Sequence, residues 1–353
     1  MIESTNLTYS FNSSNEPIGS LIFFTVIYVI VLITGLIGNF TVLFVILKNN
    51  ELKHFTNYFF ANLSAADVLV LIFCIPTALH DIWAKDQWYL GKFICLINQY
   101  IEGCSTSVSS LTIMAISLER FIAICKPFQV KQKRKDIEKI NSIAYFKVHE
   151  ILNKTLTLIT IVIIWTIALI FSLPFYIFVV YDPSFNPTDS LNTTTSNLVT
   201  ICHLNASTNL ARACLTWFII LLIFVPFAVL IYIYTRIILE LVRHRTVRVM
   251  RINKTQSSID IEDVRLNIDE QQKSNSFLAY KNFEQKRLNT VIICVVTVAF
   301  FACQFPVRII QLIDMYIRVQ NEDTMSQLTW IWLWKLSKLL FFLNFTANPV
   351  GIT

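Results

Sequence analysis

The chain has 353 residues, of which 55% are hydrophobic and only 15% are charged, a composition too apolar for a soluble globular protein of this length. Six Gly and nine Pro exclude a collagen-like chain, and 28 Phe exclude an intrinsically disordered one. The net charge of +6 comes from Lys and Arg between long apolar stretches, which favours membrane orientation over nucleic-acid binding, and no close-spaced set of Cys and His suggests a zinc site.

Seven apolar stretches follow one another along the chain. The first has 31 uncharged residues between Glu16 and Lys48. As a helix it would be about 46 Å long, against a hydrocarbon core of about 30 Å. No basic segment precedes it and it is too long for the apolar part of a signal peptide, so we expect it to remain as a helix. The other six carry at most two charges each and cover 57–80, 93–118, 155–181, 213–235, 288–316 and 327–353. We therefore predict an all-α membrane protein with a seven-helix bundle.

The basic residues between these stretches predict the orientation. Loops at 48–53, 126–154 and 236–287 carry two, eight and eleven Lys or Arg, whereas the segments on the other side carry four in all. Because basic loops stay in the cytosol, we expect the N-terminus outside, the C-terminus in the cytosol, and long cytosolic loops at 126–154 and 236–287. The predicted division is an extracellular N-terminal segment, 1–20, and a seven-helix domain, 21–353. Four Asn-x-Ser/Thr sites fall on the outer side and are expected to carry glycans: Asn6, Asn12, Asn192 and Asn205.

Polar, aromatic and proline residues occur in a characteristic order within or beside the seven stretches. In chain order they are Gly38-Asn39, Asn62 with Asp67, Trp88 with Gly91 and Cys95, Glu119-Arg120-Phe121, Trp165 with Pro174, Pro226 with Tyr234, Phe300 with Cys303 and Pro306, and Asn344 with Asn348-Pro349. This order resembles that of the rhodopsin-like G-protein-coupled receptors over nearly the whole chain, and within them the neuropeptide receptors most closely. Each motif is weak by itself, and the joint order carries the resemblance.

The resemblance implies a disulfide between Cys95, at the outer end of the third stretch, and Cys202, in the external loop before the fifth. An oxidising compartment permits such a bridge, which would pin the loop over the helices. Two separate thiols are the alternative, because the sequence does not give the geometry that a bridge requires. Cys214 is expected to stay reduced.

Asp67 lies in an otherwise uncharged stretch and would cost about 2.5 to 3.5 kcal/mol if it faced lipid. We therefore expect it to face inward. Its expected neighbours are Asn39, Ser109, Asn344 and Asn348. In the family such a cluster resembles a sodium-binding pocket, so a sodium ion is possible at Asp67. A water-filled hydrogen-bond network around a buried carboxylate is the alternative.

Arg120 has Glu119 beside it at the cytosolic end of the third stretch. By the resemblance, Glu119 holds Arg120 at rest, and Arg120 turns toward Tyr234 and the G protein when the sixth helix moves outward. A purely structural ion pair is the alternative. Phe128 resembles the apolar residue that family members insert into a groove on the G protein.

Ionisable residues in the third, sixth and seventh stretches predict the ligand site. Glu102 lies where amine receptors carry an Asp that binds the ligand's ammonium group, so an amine remains possible. Two cations near one carboxylate would repel a small amine but not a peptide with acidic, basic or amide groups, which favours a peptide. The expected ligand contacts are Glu102, Gln99, Arg308, Gln311, Lys338 and Gln304. We expect a Glu102–Arg308 salt bridge to divide the cavity, and a Glu102–Lys338 pair is the competing arrangement.

Some positions depart from the family pattern. Gln304 stands where relatives carry Trp, and Ile352 where they carry Tyr, so we expect a variant of the usual activation route. The short helix that follows the seventh span in the family is missing before Thr353, which implies a truncated product or a lost tail. In loop 126–154 an apolar spacing of three or four residues leaves two hypotheses open, a basic amphipathic helix on lipid and a solvated charged loop.

The function predicted from the resemblance is a plasma-membrane receptor that binds an extracellular neuropeptide-like ligand and activates a heterotrimeric G protein. Two alternatives are a biogenic-amine receptor using Glu102 and, in a different class, a transporter, although no inverted repeat supports the latter. The expected partners are the peptide, the G protein and the lipid bilayer. Nucleic acid, enzymatic activity and any cofactor other than the possible sodium ion are not expected.

Overall fold

The computed structural model describes residues 16–49, 55–84, 87–125, 142–185, 199–256, 269–318 and 327–347. In chain order these residues form α1 Ile18–Lys48, α2 Phe55–Trp83, α3 Gly91–Cys125, α4 Ser142–Phe171, the short α5 Leu173–Ile177, strands β1 Val179–Phe185 and β2 Val199–Leu204, α6 Asn209–Ile219, α7 Val225–Gln256, α8 Asp269–Ile313 and α9 Gln327–Ala347. One π-helical turn, Ile220–Phe224, joins α6 to α7, and another, Asp314–Arg318, follows α8.

The long helices form the predicted bundle. Within the described ranges, six helical segments are long and apolar enough to cross a membrane, with α6 and α7 together making one of them. The seventh, α9, has 21 residues and carries Lys335 and Lys338, which lower its apolar character. Of the apolar stretch in α3, 78% is buried, against 22% in α1 and in α4. The third helix is therefore the central one, and α1 and α4 turn broad apolar faces outward, as a lipid environment requires.

The side chains inside α3 explain its central place. Ser105, Ser107, Ser109, Ser110 and Thr112 are all fully buried. Such small polar side chains would be unfavourable against lipid, but between helices they allow close packing and internal hydrogen bonds. The polar face of α3 thus becomes the interior of the bundle.

Two segments predicted as cytosolic loops are partly helical. The fourth-span helix already begins at Ser142, α7 continues to Gln256, and α8 begins at Asp269, so much of 126–154 and 236–287 belongs to helices that continue into spans. Residues 142–154 are helical and continue directly into the fourth span, whereas 126–141 lie outside the described residues. The physical reason is that charges mark where a membrane ends but do not stop a helix. No Gly or Pro interrupts these extensions.

The end of the fourth predicted stretch is also corrected. We predicted a span over 155–181 with Pro174 inside it, but α4 ends at Phe171 and Pro174 lies in the first turn of α5. Proline is favoured at that position because the first turn of a helix leaves its backbone N–H groups unpaired. The apolar residues from Val179 to Tyr181 belong to β1 and not to a span.

Helix α1 packs closely against its neighbours at Gly35. A Cβ atom there would lie 2.8 Å from Leu71 Cδ1 and 2.9 Å from Thr346 Cγ2, and Leu71 is itself fully buried in the apolar core. Any larger residue at position 35 would have to displace the side chains of Leu71 and Thr346 between α1, α2 and α9.

The variant Gly35→Val should lower the stability of the detergent-purified protein by about 1 to 3 kcal/mol, because the added atoms force buried side chains aside. The matched control is Gly19→Val in the same helix, where no described atom lies within 4 Å of an added Cβ. Thermal unfolding measures both. Equal losses from the two variants would show that the packing at Gly35 is not the cause.

Candidate functional site

A β-hairpin covers one end of the bundle, which we call the disulfide end. Strands β1 and β2 pair antiparallel, with Tyr181 opposite Cys202. The Cys202 sulfur is bonded to that of Cys95 at the start of α3, with the two Cα atoms 5.8 Å apart. The Trp88 backbone N–H donates to the Thr200 carbonyl at 2.7 Å, a second link between the hairpin and the segment before α3. The predicted disulfide is confirmed, and Cys214 is not disulfide-bonded.

Replacing Cys202 with Ser should lower the apparent unfolding temperature of the non-reduced protein and loosen the hairpin. The bridge joins residues 107 positions apart, and removing a native disulfide of this kind typically costs about 2 to 4 kcal/mol. Cys214→Ser is the matched control, since it makes the same atomic change at a cysteine outside the bridge. If both variants unfold at the wild-type temperature, the bridge does not stabilise the fold.

A cavity of about 290 Å³ lies beneath β2 at the disulfide end. Three residues expected to contact ligand line it: Gln99 from α3, Gln311 from α8 and Lys338 from α9. The hairpin contributes His203, whose imidazole pKa is lowered by burial, so that it lines the cavity as a neutral group. The cavity therefore offers amide, ammonium and imidazole groups to a ligand.

Several lining residues were not predicted from the sequence. They include His203, Asn205, Asp314, Met315 and Trp334. Asp314 follows Arg308 on the sixth span, and its charge was the one available signal. His203 and Asn205 line the cavity because the disulfide and the chain after β2 hold them there, which no local pattern indicates. Asn205, predicted to be glycosylated, is half-buried, lines the cavity and accepts a hydrogen bond from the Ser207 N–H at 2.9 Å.

Below the cavity lies a cluster of three charged residues, Glu102, Arg308 and Lys338, which we call the charge cluster. The Lys338 ammonium donates to Glu102 Oε2 at 2.7 Å, and Arg308 Nη1 lies 3.8 Å from Glu102 Oε1. Only 3% of the Glu102 side chain and 1% of the Arg308 side chain are exposed, against 14% for Lys338. The predicted Glu102–Arg308 contact is present, but Lys338 is the closer, hydrogen-bonded partner. The cluster thus joins α3, α8 and α9.

Arg308 has further contacts besides Glu102. It donates to the Gln311 side-chain oxygen at 2.7 Å and to the Thr106 hydroxyl at 3.3 Å. Its guanidinium carbon also lies 5.5 Å from the centroid of the Phe341 ring, within the range of a cation–π contact. Arg308 therefore lies behind Gln311, which separates it from the cavity.

Gln304 lies in the interior and does not line the cavity, and the same holds for Glu102 and Arg308. The Gln304 side chain is fully buried. Its amide nitrogen and oxygen make no hydrogen bond with the described residues. Of the six residues expected to contact ligand, three thus line the cavity and three are buried without lining it.

The polar residues expected around Asp67 are buried in the bundle where the structure describes them. Asp67, Asn39, Ser109 and Asn344 are at most 2% exposed and come from four different helices. The Asn39 amide nitrogen donates to the Phe345 carbonyl at 2.8 Å, which fastens α1 to α9. The inward position predicted for Asp67 agrees with its complete burial. Asn348 lies outside the described residues.

The opposite end of the bundle, which we call the Arg120 end, contains the expected pair of Glu119 and Arg120. Arg120 Nε lies 3.4 Å from Glu119 Oε2, and both side chains are partly buried. The Tyr234 hydroxyl is hydrogen-bonded to Ser117 at 2.7 Å and to Thr297 at 2.9 Å, and it thereby joins α3, α7 and α8. In this conformation Arg120 is paired with Glu119 and Tyr234 is hydrogen-bonded to other residues.

Five residues named from the sequence lie outside the described residues: Phe128, Asn6, Asn12, Asn192 and Ile352.

The sequence matches the family described as "7 transmembrane receptor (rhodopsin family)" over residues 38–145 and 142–350. It is 29% identical over 318 residues to neuropeptide Y receptor type 6 of Oryctolagus cuniculus, a match that covers 88% of this chain and 72% of that receptor. It is also 34% identical over 123 residues to the pyrokinin-1 receptor of Drosophila melanogaster, covering 35% of this chain and 29% of that receptor. A third relative, human neuropeptide FF receptor 1, is 33% identical over 172 residues, which are 48% of this chain and 35% of that receptor. The chain therefore belongs to the rhodopsin family of seven-transmembrane receptors, which are multi-pass proteins of the plasma membrane and not enzymes.

Proposed function

We propose that this receptor binds an extracellular peptide in the cavity beneath β2 and activates a heterotrimeric G protein at the Arg120 end. The observation that carries the proposal is the cavity, which is covered by the hairpin and lined by amide, ammonium, carboxylate and imidazole groups. A peptide offers partners for all of these along a short length of backbone and side chains. The match over 72% of a neuropeptide Y receptor supports the same ligand class.

The charge cluster disfavours a biogenic amine. An amine receptor needs a carboxylate exposed to the ligand, but Glu102 is almost fully buried, accepts from Lys338 at 2.7 Å and does not line the cavity. An ammonium ligand would have to displace one cation from Glu102 while lying close to both. Membership of a receptor family likewise favours signalling over transport.

The orientation in this proposal follows the basic residues, with the disulfide end outside the cell and the Arg120 end in the cytosol. Arg120 is then the group that couples the two ends. Its partner Glu119 holds it in the resting state, and Tyr234 becomes its partner when α8 moves outward. Phe128 would contact the G protein directly.

We also propose a sodium ion at Asp67. The group combines a carboxylate with hydroxyl and amide oxygens, which are the ligands that a hard cation prefers. Within the described part of the chain, Asn39 Oδ1 and Ser109 Oγ are buried without a hydrogen bond, so both remain available as ligands. Such an ion would favour the resting conformation, because it neutralises a buried carboxylate between α1, α2, α3 and α9.

Sodium should therefore stabilise the wild-type receptor and not the Asp67→Asn variant. At a sodium concentration ten times the Kd, the expected stabilisation is about 1.4 kcal/mol. Thermal unfolding in sodium chloride, with N-methylglucamine chloride at equal ionic strength as the control, measures it. A sodium-specific shift that persists in Asp67→Asn would contradict this site, and the absence of any shift in the wild type would favour the water network.

A peptide-library screen tests the proposed function. Cells expressing the receptor would be exposed to pooled peptides while intracellular calcium and cAMP are recorded, with untransfected cells as the control. We expect at least one pool to give a receptor-dependent response. A panel of biogenic amines is the second arm, and a response to amines with none to peptides would overturn the peptide assignment.

A further inference from the structure

The charge cluster contains more positive than negative charge. Arg308 and Lys338 contribute two cations, and among the described residues Glu102 is the only carboxylate within 4 Å of either. A buried charge without a counterion is unfavourable, so a cluster with this excess favours the arrival of an anion. The residual positive charge lies at the floor of the cavity, because Lys338 lines it.

Hydrogen bonding in the cluster is also incomplete. A guanidinium has five donors, yet in the described part of the chain Arg308 Nε has no acceptor. Its nearest approach to Glu102, 3.8 Å between Nη1 and Oε1, is too long for a hydrogen bond, and Glu102 Oε1 accepts none from the described residues. Planar carboxylates bind guanidinium through two parallel hydrogen bonds, and the open Nε–H of Arg308 can supply one of them.

We propose that the cavity floor binds a carboxylate of the ligand, and that this carboxylate replaces Glu102 as the ion-pair partner of Lys338. The inference rests on the proposed peptide function and names the chemical group that the peptide brings. Lys338 is reached directly from the cavity, and Arg308 is reached when Gln311, which now accepts its hydrogen bond, turns aside. The ligand carboxylate neutralises the excess positive charge and accepts a hydrogen bond from the Arg308 donor that has no acceptor.

The exchange also links binding to movement of the helices. At rest Glu102 of α3 holds α9 through Lys338 and lies beside Arg308 of α8. A ligand carboxylate bound to Lys338 weakens the Glu102–Lys338 ion pair that joins α3 to α9. Glu102 then has Arg308 as its remaining cationic partner. The contacts between these three helices at the cavity floor therefore differ between the empty and the occupied receptor.

The test uses matched peptides from active library pools. Each active peptide is made with a C-terminal carboxylate and with a C-terminal amide, and each Asp or Glu in it is separately changed to Asn or Gln. Because a hydrogen bond to a charged group contributes more than a neutral one, one carboxylate form should act at concentrations about tenfold lower, or lower still, than its neutral partner. The two arms distinguish a terminal carboxylate from a side-chain carboxylate.

The deciding variant is Lys338→Gln, with Lys335→Gln as its matched control on the same helix. Lys338→Gln leaves Glu102 and Arg308 as a balanced pair, so the protein should still reach the cell surface. Lys335 is bound to Glu16 and does not line the cavity. We expect the carboxylate and neutral peptides to have about equal potency on Lys338→Gln, whereas the carboxylate peptide should remain more potent on Lys335→Gln.

Two results would overturn the inference while leaving the peptide receptor intact. One is equal potency of every carboxylate and neutral pair on the wild type, and the other is a preference that survives unchanged in Lys338→Gln. A receptor that answers no peptide of any form would overturn both the proposed function and this inference.

Discussion

The variant Glu102→Lys should lose about 3 to 5 kcal/mol of stability, because it places three cations together in the interior of the bundle. The further exchange Lys338→Glu should restore much of this loss. The reason is the short contact in the native receptor, where the Lys338 ammonium lies 2.7 Å from Glu102 Oε2. Thermal unfolding of the purified protein measures the recovery without requiring a known ligand.

The comparison is with the exchange of Glu102 and Arg308, made as Glu102→Arg with Arg308→Glu. Arg308 is 3.8 Å from the Glu102 carboxylate and has its own bonds to Gln311 and Thr106, which Glu at that position would lose. This double variant should therefore recover less stability than the exchange with Lys338. The reverse order of recovery would mean that Arg308 is the dominant partner of Glu102.

The second large effect is expected at Arg120. Arg120→Ala should retain the ligand cavity and reach the cell surface, yet lose nearly all ligand-dependent G-protein activation. The residue lies at the end of the bundle opposite the cavity and is 3.4 Å from Glu119, so its removal leaves the charge cluster untouched. Calcium and cAMP responses to the active peptide, normalised to surface level, provide the measurement.

Glu119→Gln is the matched variant, and it should change G-protein activation in the opposite direction to Arg120→Ala. It removes the charge that holds Arg120 and should raise activity in the absence of ligand. Wild-type activation by Arg120→Ala at equal surface level, together with unchanged basal activity of Glu119→Gln, would show that the pair is only structural.

Much of the bundle could be predicted from where charges are absent. The uncharged run before Lys48 became α1, and the buried serines of α3 face inward because small polar groups are unfavourable against lipid. Charge was a poorer guide to where helices end. Helix α7 continues to Gln256 well past the apolar residues, since propagation of a helix depends on backbone hydrogen bonds and not on hydropathy.

The site was predictable to the level of residue types but not of contacts. Glu102, Arg308 and Lys338 were identified because ionisable residues inside a membrane need partners. Which cation donates the hydrogen bond depends on the relative heights of α8 and α9 and on side-chain rotamers, and the sequence gives neither. His203 was missed because it reaches the cavity only through the hairpin that Cys202 fastens to α3.

Peptide-dependent activation through Arg120 can be measured as nucleotide exchange on a purified heterotrimeric G protein by the receptor in lipid vesicles. The active peptide is added to vesicles holding wild-type receptor, Arg120→Ala or no receptor. We expect the peptide to accelerate exchange with the wild type and to leave it at the receptor-free rate with Arg120→Ala. Exchange that is unaffected by the peptide with the wild type, using G proteins of each major class, would contradict this expectation.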